Sequence, residues 1–231
     1  MVIGNARTLS ILVLILLAVN ASVYRTVFAP RVLRVSVLNG GDPLGTVVVR
    51  SPSGKTVLID TGRDASVLRA LGTALPEWQR RLDAVVVTSL DARAAGGLPD
   101  VFGRYRVQIL IRPEARGNKN IEQRIGVALD ALHNLIPIAA HRGDRFALGG
   151  GAYLDVLWPP KTPAPLSAVD GSLVLKISYG ATSLIISPAL PTRAAAELFL
   201  LEEGSSAPSM VISSSTPPKM YLSDGSSVWG K

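Results

Sequence analysis

The pattern of hydrophobic and polar positions divides the chain in two. Residues 9–24 are nearly all apolar and carry no charge, and no polar face recurs at the helical period. With the stretch to Phe28 they approach the ~20 residues that span a bilayer, and Tyr24 and Arg25 fall where interfacial anchors belong. This predicts a membrane anchor over residues 1–30, with residues 9–28 in the membrane. A cleaved signal peptide fits the same stretch, with Arg7 ahead of Ile11–Ala18 and Val19-Asn20-Ala21 as the cleavage site. Ala29-Pro30 ends the helix.

From residue 31 the pattern becomes one of short strands and helices, forming a single domain over 31–231. Val32–Leu38 alternates as a strand does, and Asn39-Gly40-Gly41-Asp42-Pro43 marks a turn. Thr46–Arg50 and Lys55–Asp60, joined by Ser51-Pro52-Ser53-Gly54, read as a hairpin. Asp64–Ala74 reads as a helix with Asp64 near its start. Leu82–Thr88 has the small β-branched residues of a strand buried on both faces. It turns through Ser89-Leu90-Asp91 into an Ala-rich helical turn. A further turn at Pro99–Arg104, a strand at Arg106–Ile111, an amphipathic helix at Asn118–Asn134 and a short strand at Ile136–Ala140 follow. Phe146–Leu148, Ala152–Leu157, Leu173–Tyr179, Thr182–Ile186 and Met210–Ser213 are expected strands. Trp158–Pro165 is a proline-rich loop, and Pro191–Glu203 is a helix opening on proline.

Composition sharpens this picture at three points. The 231 residues are 48% hydrophobic but only 5% aromatic, so the core must rest on Val, Leu, Ile and Ala. The chain has no Cys, which removes disulfides and thiolate metal sites. The net charge is +7. Residues 31–150 hold 17 basic and 11 acidic residues, whereas residues 151–231 hold 5 and 6. The basic excess therefore lies in the first half of the domain, and nucleic acid or anionic lipid are the partners such a bias favours. A solvated, Arg-rich face accounts for it equally.

The stretch Thr88-Ser89-Leu90-Asp91-Ala92-Arg93-Ala94-Ala95-Gly96-Gly97-Leu98 resembles the metal-binding loop of the metallo-β-lactamase superfamily, in the form found in the soluble domain of ComEC-type competence proteins. There a strand ends in Thr and continues H-x-H-x-D-H, then a small residue and Gly-Gly-Leu. Ser53-Gly54-Lys55-Thr56-Val57-Leu58-Ile59-Asp60-Thr61-Gly62 is similar to the family's Ser-Gly-Lys-x-hydrophobic-Leu-Ile-Asp-x-Gly, and Ser172–Gly180 to its Ser-Leu-Val-Leu-x-hydrophobic-x-Tyr-Gly. The turn differs, with Gly41-Asp42-Pro43-Leu44 in place of Gly-Gln-Gly-Asp. The resemblance implies a four-layer αββα metallo-β-lactamase sandwich, here with one N-terminal transmembrane helix, and implies that Asp60 supports the metal loop by hydrogen bonds. Helix-turn capping explains the same Asp60.

The side chains that carry the family's chemistry are missing. By register the four ligand positions fall on Ser89, Asp91, Arg93 and Ala94, the bridging carboxylate on Ala189, and Ser213–Pro218 has no His where active relatives carry two. His133 and His141 match no ligand position. Hydrolysis on this fold needs a metal-bound hydroxide, and zinc or manganese needs several converging His and carboxylate ligands. The sequence therefore points to a non-catalytic binding or scaffold domain without a cofactor. It would be held at the cell membrane, with a DNA contact through its basic half or a protein partner in a membrane complex. The alternative is a divergent nuclease- or phosphodiesterase-like hydrolase, with zinc or manganese held weakly by Asp60, Asp64 and Asp91. ComEC likeness places the domain outside the cytoplasmic membrane; the charges flanking the helix place it inside. Arg93 is expected to pair with Asp60 or Asp91, standing in for the metal's charge; an Arg93 pointing to solvent from a helical turn fits the sequence equally.

Overall fold

The computed structural model describes residues 3–27, 32–38, 45–115, 117–132, 134–162, 166–167, 169–187, 210–213, 219–222 and 227–228. The turn at 39–43, His133, Ala189, the helix expected at 191–203 and the stretch 214–218 lie outside them. Two compact units are present, residues 1–32 and 33–231.

The first unit is one helix, α1 (Ile3–Val27). Its described side chains, 8–21, are all exposed. Among the described residues no helix is long and apolar enough to cross a membrane.

The second unit is built on two sheets. The first takes the order β1 (Arg34–Leu38), β2 (Thr46–Arg50), β3 (Thr56–Ile59), β4 (Arg81–Val86), β5 (Arg106–Pro113), β6 (Ile136–Ala140). β1 to β3 pair antiparallel; β3 to β6 pair parallel. Parallel strands need crossovers, supplied by α2 (Ser66–Ala74), α3 (Ala92–Ala95) with α4 (Leu98–Arg104), and α5 (Lys119–Ala131). The second sheet runs β13 (Ser227–Val228), β12 (Lys219–Leu222), β11 (Met210–Ser213), β10 (Thr182–Ser187), β9 (Val174–Tyr179), β8 (Ala152–Trp158), β7 (Arg145–Gly149). It is antiparallel except at β10–β11.

The alternating strands bury one face in each of two cores. Val47, Val49, Ile59, Val86 and Ile111 meet Leu154, Val156, Leu175, Ile177 and Ile186 between the sheets. Val48, Leu58 and Val85 face Leu71, Leu98, Phe102, Ile121 and Ile125 of the helices. These form three layers of the expected four; the helix expected to cover the outer face of the second sheet lies outside the described residues. Two helix starts move inward. α2 begins at Ser66, because Asp64 takes the Ser66 N–H at 2.8 Å and holds the preceding turn open. α5 begins after Asn118, whose side chain caps it through the Asn120 N–H.

Candidate functional site

The carboxyl ends of parallel strands present backbone groups that no further strand satisfies, and the loops gathered there form the site. β3 ends at Asp60, in the left-handed region at φ +58°, which Asp tolerates better than most residues. Its N–H still completes the ladder with the Val86 carbonyl at 2.8 Å. Its carboxylate turns beneath β4. It accepts the Thr88 N–H at 2.7 Å and the Thr88 Oγ1–H at 2.6 Å. The Thr88 carbonyl in turn accepts the Leu173 N–H from the second sheet at 2.7 Å. The Asp60 side chain thus serves the loop after β4.

The rest of the loop is fastened in the same way. Thr61 donates both its N–H and its Oγ1–H to the Ala94 carbonyl, at 2.8 and 3.0 Å. The Gly97 N–H reaches the Gly62 carbonyl at 3.0 Å, and the Asn118 N–H reaches the Leu90 carbonyl at 2.9 Å. A Cβ on Gly97 would lie 2.5 Å from the Asp64 carbonyl oxygen and 2.6 Å from that of Thr61. On Gly96 it would press into the Arg63 and Ala92 carbonyls. The Gly-Gly pair is required by this close approach of two backbones.

The sequence-predicted site residues take four different roles in this frame. Ser89 and Ala94 are buried. Asp91 is the N-cap of α3, its Oδ1 accepting the Arg93 and Ala94 N–H groups at 2.8 and 2.9 Å. Arg93 reaches Asp91 Oδ2 at 3.7 Å, with its side chain 52% exposed. The expected ion pair is therefore made with Asp91, in a long single contact at the surface. It is not made with Asp60, because a side chain on the exposed side of α3 faces away from the strand end. Ala189 lies outside the described residues.

Burial pushes the Asp60 carboxyl up to about 7, since removal from water penalises the anion. The two Thr88 hydrogen bonds work against this, and the charge of Asp91 adds to it. His141 follows β6 and bonds through Nε2 to Glu114 Oε2 at 2.9 Å, with Glu114 63% exposed. Sequence inspection missed this pair because the partners are 27 residues apart. The parallel register Pro113↔Ala140 places the next residue of each strand side by side, and such a register was the signal needed.

Two sheets in sandwich, the first flanked by helices, with a strand–Thr–loop–Gly-Gly frame at one end, match solved structures. A metallo-β-lactamase from Cronobacter sakazakii described by its HARLDQ motif superposes with a TM-score of 0.50 at 18% identity, over 74% of this chain and 71% of that one. A mutant of it gives 0.51 at 20%, over 74% and 71%. The fold is that of the metallo-β-lactamases. At these identities the likeness speaks of fold alone. No family model matches the sequence, and no curated protein matches it.

Whether the residues present suit the metals of a metallo-β-lactamase is answered by their chemistry. The positions that the resemblance assigns to ligands, Ser89, Asp91, Arg93 and Ala94, carry a hydroxyl, a capping carboxylate, a guanidinium and a methyl group. Among the described residues no three of His, Cys, Asp or Glu come together to hold an ion. A permanent cation at Arg93 also repels a dication. The described residues do not fit the group.

Proposed function

We propose that this is a non-catalytic metallo-β-lactamase-fold domain, a binding or scaffold protein held at a membrane by α1 and allied to the ComEC-type domains it resembles. One observation carries the reading: every carboxylate that a divergent site would use is already engaged by backbone N–H groups. Asp60 holds Thr88, Asp64 holds Ser66, and Asp91 holds Arg93 and Ala94. Drawing Asp60 toward an ion leaves the buried Thr88 donors unpaired, at about 1–3 kcal/mol, and drawing Asp64 or Asp91 away opens the exposed turn or cap it forms. The loop frame is thus kept for architecture, with no hydroxide-generating chemistry attached. The ComEC alliance is supported by Thr88, by Gly96-Gly97-Leu98 at the family's spacing, and by the strand motif of Ser53–Gly62.

The membrane reading is supported by Leu9, Ile11, Leu14 and Leu16, each more than half exposed on one continuous helix. The described side chains cover less than the ~20 residues of a span, and the helical backbone continues to either side of them. Elemental analysis of the full chain, purified and exchanged against zinc and manganese, is expected to show no stoichiometric metal. One or more tightly held ions per chain would sink the non-catalytic reading. Retention in the membrane pellet after alkaline carbonate extraction is expected for the anchor, and release into the supernatant contradicts it.

A further inference from the structure

The opposite end of the first sheet, away from the loop at 88–98, has a chemistry of its own. β1, β4 and β5 start there on Arg34, Arg81 and Arg106, and β2 ends there on Arg50. Register sets Arg34 directly opposite Arg50, and Arg81 directly opposite Arg106. The Arg80 carbonyl accepts the Arg106 N–H, and Arg104 closes α4 just before β5. All but the half-buried Arg50 are exposed. The row crosses five neighbouring strands, about 19 Å at ~4.8 Å per step. The acids in the strand starts and the 76–80 connection are Asp83 and Glu77. Asp83 already accepts the Thr56 N–H at 2.8 Å and lies 3.8 Å from Arg81.

Like charges directly opposite across a strand pair are destabilising, and this edge carries two such pairs. Beside them stands Trp78, 84% exposed. It is held in place by its neighbour Gln79, which accepts from Arg50 at 3.5 Å and donates to Thr56 Oγ1 at 2.8 Å. Indole rings beside arginines suit the headgroup layer of a bilayer, where each arginine near an anionic leaflet gains about 1 kcal/mol. A nucleic-acid strand offers phosphates and bases to the same groups. Connectivity favours the bilayer: Arg34 opens β1 at this edge, and six residues, 28–33, separate it from Val27 at the end of α1.

We infer that this arginine edge, with Trp78, docks on anionic lipid headgroups. The inference rests on the membrane reading of α1 and adds the lipid class that the domain itself recognises. The chain has no Cys, so a single fluorophore can be placed at Glu77→Cys, and in a second protein at Ala92→Cys, which is exposed at the other end of the sheet. The full chain is reconstituted into phosphatidylcholine vesicles with and without phosphatidylglycerol, and quenching by headgroup nitroxide lipid is read. The Glu77→Cys label is expected to be quenched with phosphatidylglycerol, far less without it, and the Ala92→Cys label in neither. Arg81→Gln with Arg106→Gln should lower the docked-to-free ratio by roughly 25-fold, about five-fold per arginine. The same pair without lipid should melt no lower than the parent, because it removes opposed like charges. Quenching that ignores lipid charge, quenching at Ala92→Cys instead, or protection of the Glu77→Cys label by single-stranded DNA but not by lipid overturns the inference. If the full chain fails to float with vesicles, the anchor reading fails. The labelled protein is then read against vesicles added from outside, where absence of phosphatidylglycerol-dependent quenching overturns the docking itself.

Discussion

Asp60 sets a buried acid against the pH range in which the protein must stay folded. Its folded-state pKa of about 7 lies above the ordinary carboxyl value of 3.8, so the folded state holds the proton more tightly than the unfolded chain. The sign follows. The full contribution of Asp60 to stability is present below about pH 4 and is lost as pH rises to about 7, at up to about 1.4 kcal/mol per pH unit. Denaturant titrations between these limits are expected to show that loss. Asp60→Asn keeps an acceptor for the Thr88 N–H and tolerates the left-handed backbone, so its gain over the parent should grow with pH and level off near pH 7. A difference that does not change with pH contradicts the burial account. Arg93 makes the opposite case. Its contact with Asp91 is long and exposed, and such pairs contribute little. Arg93→Ala should alter stability by no more than about 0.5 kcal/mol, and a loss of 3–5 kcal/mol would mean a buried pair after all.

At the scale of the element, the loop at 88–98 is a short helix braced from both ends. Asp91→Ala removes the acceptor for two N–H groups and should cost about 1 kcal/mol, with Asp91→Asn restoring most of it. Thermal melts of the three proteins check this. Gly96→Ala and Gly97→Ala force a methyl group against backbone carbonyl oxygens no more than 2.6 Å away, so each should cost about 1–3 kcal/mol or more. Melting unchanged in either variant would mean that the two backbones separate easily. Much of this element was legible beforehand: the buried strand, the turn and the glycine pair are local patterns, and the family likeness supplied their order. The direction of Arg93 was not. It depends on which side of a four-residue helix meets the core, and Ala94 and Ala95 win that side by being small enough to pack against the frame.

Across the whole molecule, the two-sheet plan came from the family resemblance, and the hairpin could be read from alternation and turn residues. Contacts between distant residues could not. Thr88 and Asp60 are 28 residues apart, and neither looks unusual alone. The arginine row was visible only as a charge excess, because its members come from separate strands and meet only once the register is set. The charge asymmetry noted along the chain thereby becomes a spatial one. The basic half builds the first sheet, and the near-neutral half builds the second.

The Leu173 N–H has a consequence for how this plan comes apart. The first sheet is complete by residue 140 and the second begins at residue 145, so the two could separate as blocks of consecutive chain. The Leu173 amide belongs to the second block and is bonded to Thr88 in the first, and its side chain is fully buried. Its hydrogen can exchange with solvent deuterium only when that link opens. One slow amide thus reports on the joint between the halves. If it exchanges at the rate of the slowest amides within β4 and β9, the protein opens as one cooperative body; if it exchanges faster, the sheets part before either melts.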